Sequence, residues 1–582
     1  MTCTRIAAGL AAGILLASVL AGCGGDDGPG TQRDTALGPV VGADLSATSG
    51  TYAWKGIPFA KAPVGELRWK APADAAAWTT PRQAQAFGNA CASYGRLYGG
   101  GANNRYDETI STTLNKPTGS EDCLYLNVWS PAGAAADAKL PVIVFVHGGS
   151  NITGYTADPV YDGANLAKTA NAVVVTVNYR LGLFGFFNLG QLKTGDAQDD
   201  SGNFALLDLV KALKFVNGNI ANFGGNPDNV TLMGQSAGAV NVYALMTSPL
   251  VVNAKPVLAH RVLPISGGIS RASELTPAGA LATLASPTDF RNQADYFLAS
   301  LVIADGLATD AASAAAYIAS RTPAQVAAYM RGKSSDAILN AVVAKLQPIG
   351  ADGSGPIPDG NVLPASPISA IKAGNYLKVP VLAGNTRDEA KLFPTLLALS
   401  PYFGGVSGRI PDNATVFNMA FNYKPNAAPA TTLEQWIPAR FLPVTTPETG
   451  FNVATDRLNQ YFFLASRDSV LGALKSQQNN IWYYRFDWDE EPAPFNDIFG
   501  AAHAFDLPFA FGNFGPSLYA NFTNSTANEP GRLALSDAMM RSIGAFARNG
   551  DPNDPALGVT WPTWPATLVF DATPTAKRIS VQ

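Results

Sequence analysis

Asn229-Val-Thr-Leu-Met-Gly-Gln-Ser-Ala-Gly238 is the stretch that decides the fold. Residues 229–233 read as a short strand that runs into a Gly-x-Ser-x-Gly pentapeptide, and residues 239–246 predict a helix directly after it. A serine on so sharp a turn has a strained backbone and an exposed Oγ, and its flanking positions need glycine because a Cβ there would clash. The pentapeptide alone is a weak signal, since a simple Gly-Ser turn has the same letters. Its flanking strand and helix favour a nucleophile, Ser236.

A second glycine-rich segment lies upstream. Pro141-Val-Ile-Val-Phe-Val146 is continuously apolar, as expected of a parallel strand buried on both faces, and it leads into His147-Gly148-Gly149-Ser150. Backbone N–H groups in such a loop can point at a developing negative oxygen. The alternative is a plain glycine turn, but the position before the nucleophile favours an oxyanion loop.

Strands and helices alternate along the chain. Residues 204–223 predict a helix that stops at Gly224-Gly225, and further strands are predicted at residues 172–178, 379–383 and 480–485. The pattern predicts an α/β fold with a large, mostly parallel central sheet flanked by helices. Residues 273–346 are alanine-rich with few strand signals, which predicts an inserted helical cap.

The N-terminus resembles an export signal. An apolar run at residues 6–20 is too short to span a bilayer as a helix and ends in Leu20-Ala21-Gly22-Cys23, which resembles a bacterial lipobox. We therefore predict a lipoprotein signal peptide at residues 1–22, lipidation of Cys23 and a flexible, glycine-rich tether at residues 23–36. Export to the bacterial cell envelope follows. The alternative is an ordinary signal peptide with a chance cysteine, and a secreted protein.

Charge and cysteine content narrow the partners. The chain has 582 residues with 40 Lys+Arg, 44 Asp+Glu and a net charge of −4, which gives no basic face for nucleic acid. Cys3 leaves with the signal and Cys23 takes lipid, so we predict a disulfide between Cys91 and Cys123. The cysteines show no C-x-x-C spacing, so we expect no zinc or iron–sulfur site.

Longer motifs carry a family resemblance. Residues 223–238 resemble the nucleophile signature of the type-B carboxylesterases, the α/β-hydrolase family that includes para-nitrobenzyl esterases and cholinesterases. Glu121-Asp-Cys-Leu-Tyr-Leu-Asn-Val-Trp129 resembles the second signature of that family, and blocks at residues 52–59, 178–182 and 356–360 agree. The resemblance runs from about Leu37 to the C-terminus, which implies an α/β-hydrolase catalytic domain at residues 37–582.

The resemblance implies a catalytic triad. It assigns Glu389 as the acid and His503 as the base that activates Ser236. Only three histidines are present; His147 lies in the glycine loop and His260 starts a strand soon after the nucleophile, so His503 alone fits the order Ser, acid, His. Asp388 is the rival acid.

The resemblance also implies the oxyanion donors, the backbone N–H groups of Gly149, Ser150 and Ala237, and it matches the Cys91–Cys123 disulfide. Ser150 stands where relatives usually carry a third glycine, and Gln235 stands where they usually carry glutamate. Cholinesterases bind a quaternary ammonium on a tryptophan of the disulfide loop, but residues 92–122 contain no tryptophan. A choline ester is therefore a poor candidate.

The sequence predicts an exported carboxylic-ester hydrolase that forms an acyl-enzyme without a cofactor. The low charge favours a neutral hydrophobic or aromatic ester, a small molecule, as substrate. The same triad could act on amides, carbamates or polymer-derived esters, and the family also contains non-catalytic adhesion proteins that have lost the triad. The membrane is expected as a partner only through the lipid on Cys23, and the sequence leaves the oligomeric state open.

Overall fold

The computed structural model describes residues 30–135, 137–277, 279–422, 424, 426–427 and 430–582. The predicted signal peptide and the lipidation site Cys23 lie outside the described residues. In the described part, no helix is both long and apolar enough to cross a membrane.

The strands make one large sheet and two small ones. They are β1 (Gln32–Thr35), β2 (Gly38–Val41), β3 (Ala43–Leu45), β4 (Thr51–Pro58), β5 (Arg82–Gln83), β6 (Ser93–Tyr94), β7 (Pro117–Thr118), β8 (Tyr125–Pro131), β9 (Leu140–Val146), β10 (Val173–Val177), β11 (Gly225–Gln235), β12 (Arg261–Ile265), β13 (Val381–Thr386), β14 (Ile481–Phe486), β15 (Leu568–Ala572) and β16 (Lys577–Val581). The large sheet has the order β16-β15-β14-β13-β12-β11-β9-β10-β8-β4-β3.

The middle of this sheet, from β10 across to β15, is parallel, and the strands at both edges pair antiparallel. This confirms the predicted mostly parallel sheet. Side chains of β9 alternate between two cores: Val142, Val144 and Val146 face one, and Ile143 and Phe145 face the other. Burial on both faces explains why these strands are continuously apolar.

Helices cover both faces. They are α1 (Ile110–Thr113), α2 (Ala164–Ala170), α3 (Gly182–Gly185), α4 (Phe204–Asn219), α5 (Ala237–Thr247), α6 (Pro249–Val252), α7 (Pro287–Ala304), α8 (Ala311–Ala319), α9 (Pro323–Arg331), α10 (Ser335–Ala341), α11 (Pro367–Lys372), α12 (Asn413–Asn422), α13 (Leu433–Trp436), α14 (Phe451–Asn459), α15 (Ala465–Lys475), α16 (Phe495–Ile498), α17 (Leu507–Phe511), α18 (Ala520–Thr523) and α19 (Glu529–Asn549). Helices α4, α5, α11 and α15 bury apolar residues in the first core, and α2, α17 and α19 bury theirs in the second.

The segment predicted as a cap, residues 273–346, contains α7 to α10 and a π-helical turn at Val342–Leu346. These helices share a third apolar core, which they close against Trp69, Phe184 and Phe187. Capping boxes with serine, aspartate or threonine start α7, α8 and α9, which explains why this alanine-rich stretch divides into short helices.

The described part of the segment predicted as a tether, residues 30–36, makes defined contacts with the folded body. Strand β1 pairs antiparallel with β2, and the indole of Trp54 donates a hydrogen bond of 2.7 Å to the carbonyl of Thr31. Ala36 N–H donates to the side chain of Asn219 at 2.6 Å. These contacts join the second half of the predicted tether to the folded body, and the glycine-rich composition that suggested a tether ends at Gly30.

Candidate active site

Ser236 lies between β11 and α5, at the carboxyl edge of the parallel sheet. Its backbone has φ 57° and ψ −126°, a conformation that a non-glycine residue rarely adopts. A Cβ on Gly234 would come within 2.5 Å of the carbonyl oxygen of Gly238, and one on Gly238 within 2.1 Å of that of Val146. The two glycines are therefore required by close backbone approach, as the sequence predicts, and Ser236 lines a large cavity.

His503 and Glu389 reach the same edge from neighbouring strands. Glu389 starts a single 3₁₀ turn, Glu389–Leu392, after β13, and His503 lies in the loop between α16 and α17 that follows β14. His503 Nδ1 is hydrogen-bonded to Glu389 Oε2, and both side chains are buried. This contact orients the imidazole so that Nε2, the nitrogen that would act as the base, faces away from Glu389.

The Glu389 carboxylate is held ionised inside the protein. Burial alone would raise its pKa, but the His503 imidazole and hydrogen bonds bring the pKa of Glu389 below its ordinary value. Its Oε1 accepts from the Asn385 side chain and from the Thr386 N–H, each at 2.9 Å. The second oxygen is thereby left for His503.

The Gln235 side chain is hydrogen-bonded to the nitrogen of His503 that faces away from Glu389. The Gln235 Nε2 atom lies 3.0 Å from His503 Nε2, and with the ring proton on Nδ1 the amide donates this hydrogen bond. Among the described residues, the Ser236 hydroxyl makes no hydrogen bond to His503. The Gln235 amide thus competes with Ser236 for the lone pair that must take the serine proton.

We expect Gln235→Glu to move the acidic limb of the kcat/KM profile to higher pH by about one pH unit. A carboxylate beside Nε2 stabilises the imidazolium, so the free base appears only at higher pH. The measurement is hydrolysis of a p-nitrophenyl ester between pH 5 and 9. Gln235→Met, a neutral control without a donor, should move the limb in the same direction but by less, because it removes the hydrogen bond and adds no charge; an unmoved limb in Gln235→Glu would contradict the contact.

The glycine loop after β9 faces the nucleophile. Gly149, Ser150 and Ala237 line the same cavity as Ser236, and within the described part of the chain their backbone N–H groups donate to no protein acceptor. Gly149 has φ +101° and Ser150 φ +56°. Ser150 adopts without glycine the left-handed conformation that a third glycine would adopt readily. Three unpaired donors beside Ser236 can stabilise an oxyanion.

The other histidines are engaged elsewhere. His147 is buried, stacks on Tyr179 with ring centroids 4.6 Å apart, and its carbonyl accepts the Tyr179 hydroxyl at 2.8 Å. Burial lowers the pKa of His147 to about 4, so it stays neutral and supports the glycine loop. Burial also lowers the pKa of His260, whose Nδ1 accepts the N–H of Val230 at 3.2 Å.

Asp388, the rival acid, turns away from His503. Its Oδ2 accepts the N–H of Ala501 at 3.0 Å and pairs with the Arg387 guanidinium at 2.7 Å. Asp388 therefore ties the segment before His503 to the strand end that carries Glu389. Among the described residues, the carboxylate that contacts His503 is that of Glu389.

The cavity beside Ser236 has a volume of about 1260 Å³. Phe393 and Phe463 form the wall next to the base, with ring centroids 5.0 Å and 5.1 Å from that of His503. Tyr98, from the loop closed by the Cys91–Cys123 disulfide, also lines the cavity. The aromatic wall gives an apolar surface next to the reacting groups.

Sequence reasoning missed the buried carboxyl of Asp506. Burial and the nearby Glu389 raise the pKa of Asp506 to about 7, and the Tyr484 hydroxyl donates to its Oδ2 at 2.8 Å. The only available signal was its position three residues after His503. Within the described residues, no group of three or more His, Cys, Asp or Glu side chains could hold a metal ion.

Comparison with known proteins identifies relatives of the chain in both sequence and structure. The model of the carboxylesterase family matches residues 29–574. The para-nitrobenzyl esterase of Bacillus subtilis (strain 168) is 31% identical over 554 residues, covering 92% of this chain and 94% of that protein. Among solved structures, a PNB esterase has a TM-score of 0.69 at 28% identity, covering 95% of this chain and 97% of that chain. The Geobacillus stearothermophilus carboxylesterase EST55 at pH 6.2 has a TM-score of 0.65 at 30% identity, covering 95% and 98%.

Proposed function

The chain belongs to the carboxylesterase family, has the α/β-hydrolase fold and is a serine carboxylic-ester hydrolase, and on that premise we propose that Ser236, His503 and Glu389 carry its reaction. The observation that carries the proposal is the strained Ser236 in one cavity with His503, whose far nitrogen is bound to the buried Glu389. The unpaired N–H groups of the glycine loop support the same chemistry.

The reaction begins when Ser236 Oγ attacks the ester carbonyl carbon and His503 Nε2 takes its proton. The carbonyl oxygen becomes an oxyanion beside the N–H groups of Gly149, Ser150 and Ala237. His503 returns the proton to the leaving alcohol, and water activated by the same imidazole then releases the acid from the acyl-enzyme. Glu389 stays ionised and stabilises the imidazolium in both steps.

We propose esters with an apolar or aromatic part as substrates. The Phe393 and Phe463 wall beside the base supports this class, because it gives an apolar group a dry surface next to the reacting carbonyl. The test is a panel of p-nitrophenyl esters of increasing acyl length. A rise of kcat/KM with acyl length supports the class, and a flat or falling series contradicts it.

Amides and carbamates are the second candidate class, because the same nucleophile and base can act on them. Anilide and carbamate analogues of the best ester in the panel separate the classes. An ester hydrolase turns over the ester far faster, since an amine leaves less readily than an alcohol and needs a better-placed acid. Faster turnover of the anilide than of the ester would make amides the preferred substrate class.

We propose further that the protein is exported and anchored by lipid on Cys23. The apolar run at residues 6–20 and the Leu20-Ala21-Gly22-Cys23 motif support this. In a bacterial host, Cys23→Ser should move the enzyme from the membrane pellet to the soluble fraction without changing its activity. If the Cys23→Ser enzyme stays in the membrane pellet, the proposed lipid anchor is wrong.

A further inference from the structure

Of the side chains that the structure describes, three charged ones besides that of His503 line the cavity beside Ser236: Arg96, Asp289 and Arg409. Arg96 is neutralised by Asp352, whose Oδ2 lies 2.8 Å from its Nη2. Asp289 caps α7, where its carboxylate accepts the N–H of Ser286 at 2.9 Å and the Ser286 hydroxyl at 2.7 Å. Both of these charged groups therefore already have partners within the protein.

Arg409 has no such partner. Its Nη2 donates to the neutral Asn413 side chain at 2.7 Å, and its Nε is buried without an acceptor. Among the described residues, no carboxylate lies within ion-pair distance of its guanidinium. The nearest acid along the chain, Asp412, is exposed and accepts the N–H of Thr415 at 2.8 Å.

The surroundings of Arg409 make its unpaired charge energetically unfavourable without a ligand. Leu392 and Leu396 line the cavity with Arg409, and the guanidinium lies close enough to the partly buried Tyr98 to oppose the rise that burial causes in the pKa of Tyr98. A half-buried cation with a donor left unpaired loses hydration that the protein does not replace. A planar carboxylate is the group that matches the guanidinium fork in charge and shape.

We propose that Arg409 binds a carboxylate carried by the ester substrate at a distance from the scissile bond. The substrate class is then an ester with an apolar part against Phe393 and Phe463 and a free acid group at Arg409, such as a half-ester of a dicarboxylic acid. This rests on the proposed function and changes the expectation of a neutral ester. The low charge of the whole chain favoured a neutral substrate, whereas the cavity wall carries Arg409, a positive charge with no carboxylate within ion-pair distance among the described residues.

The test compares two esters with the same leaving group. One is a mono-p-nitrophenyl ester of a dicarboxylic acid, and the other is its methyl-capped neutral analogue. The wild-type enzyme should prefer the anionic ester. Arg409→Gln should lower kcat/KM for the anionic ester by about 10- to 100-fold, the range for loss of a charged hydrogen-bonded pair, and leave the neutral ester unchanged. Arg409→Lys, which keeps the charge and loses the fork, should retain part of the preference.

Two controls keep the outcome clear. Arg321→Gln removes an exposed arginine that does not line the cavity, and it should change neither ester. With the wild-type enzyme, added NaCl should raise KM for the anionic ester alone, a measurement that needs no variant. Equal losses for both esters in Arg409→Gln, or a wild-type enzyme indifferent to the charge, would overturn the inference while leaving ester hydrolysis intact. Failure of the wild type to hydrolyse either ester would overturn the proposed function itself.

Discussion

Ser236→Ala is expected to lower kcat for a p-nitrophenyl ester by about a million-fold, the scale seen when a serine hydrolase loses its nucleophile. Without Oγ no acyl-enzyme forms, and the N–H groups near Ala237 can stabilise only the slow attack of water. The variant should also resist labelling by a serine-directed organophosphonate, which is expected to modify the wild type at Ser236. Burst kinetics with the p-nitrophenyl ester would report the same loss, since the burst is release of p-nitrophenol on acylation.

The control for this experiment is Ser320→Ala, which removes an exposed hydroxyl at the end of α8. It should keep full activity and full labelling. Alanine at position 236 has to adopt the same φ of 57°, so the folded state and its melting temperature should change little. Labelling that persists in Ser236→Ala would show that another serine is the nucleophile.

The sequence was informative about the site because each residue of the proposed triad follows a strand of one parallel sheet. The carboxyl ends of parallel strands share an edge, so Ser236 after β11, Glu389 after β13 and His503 after β14 lie together although 267 residues of chain separate the first from the last. Gly234 and Gly238 are required by local steric contacts, and a short sequence motif can reveal such a requirement.

The sequence carried no comparable signal for side-chain contacts across the cavity. Gln235 could be recognised as an unusual neighbour of the nucleophile, but its hydrogen bond to His503 depends on how two distant loops meet. The charge of Arg409 was visible in the composition, yet its lack of an acidic partner depends on the packing of residues 392–413 around it. Whether a given charge is paired depends on the folded structure. The total number of charged residues in the sequence carries no information about individual pairs.

The choice between two adjacent acids shows the same limit. Asp388 and Glu389 are neighbours in sequence, and only the resemblance distinguished them. In the structure a 3₁₀ turn begins at Glu389 and sends the two carboxylates in different directions, one toward His503 and the other toward Arg387 and the N–H of Ala501. The pair therefore provides a matched test of the acid.

Glu389→Gln is expected to lower kcat by about ten thousand-fold, whereas Asp388→Asn should cause a far smaller loss. A glutamine keeps the size of the side chain but removes the negative charge that stabilises the imidazolium, and its NH₂ group can favour the wrong tautomer of His503. Asp388→Asn leaves the contact between Glu389 and His503 in place and weakens the hold on Ala501, so its effect should fall mainly on stability.

The pH dependence of stability gives Glu389→Gln a second readout. Because the pKa of Glu389 is lower in the folded protein than its ordinary value of 4.5, ionisation of this carboxylate stabilises the fold above that value, and the contribution is lost as pH falls through the folded pKa. Glu389→Gln should therefore be less stable than the wild type in urea unfolding at pH 7, with the difference shrinking as pH falls below 4.5. A full loss of activity in Asp388→Asn together with an active Glu389→Gln would reverse the assignment of the acid.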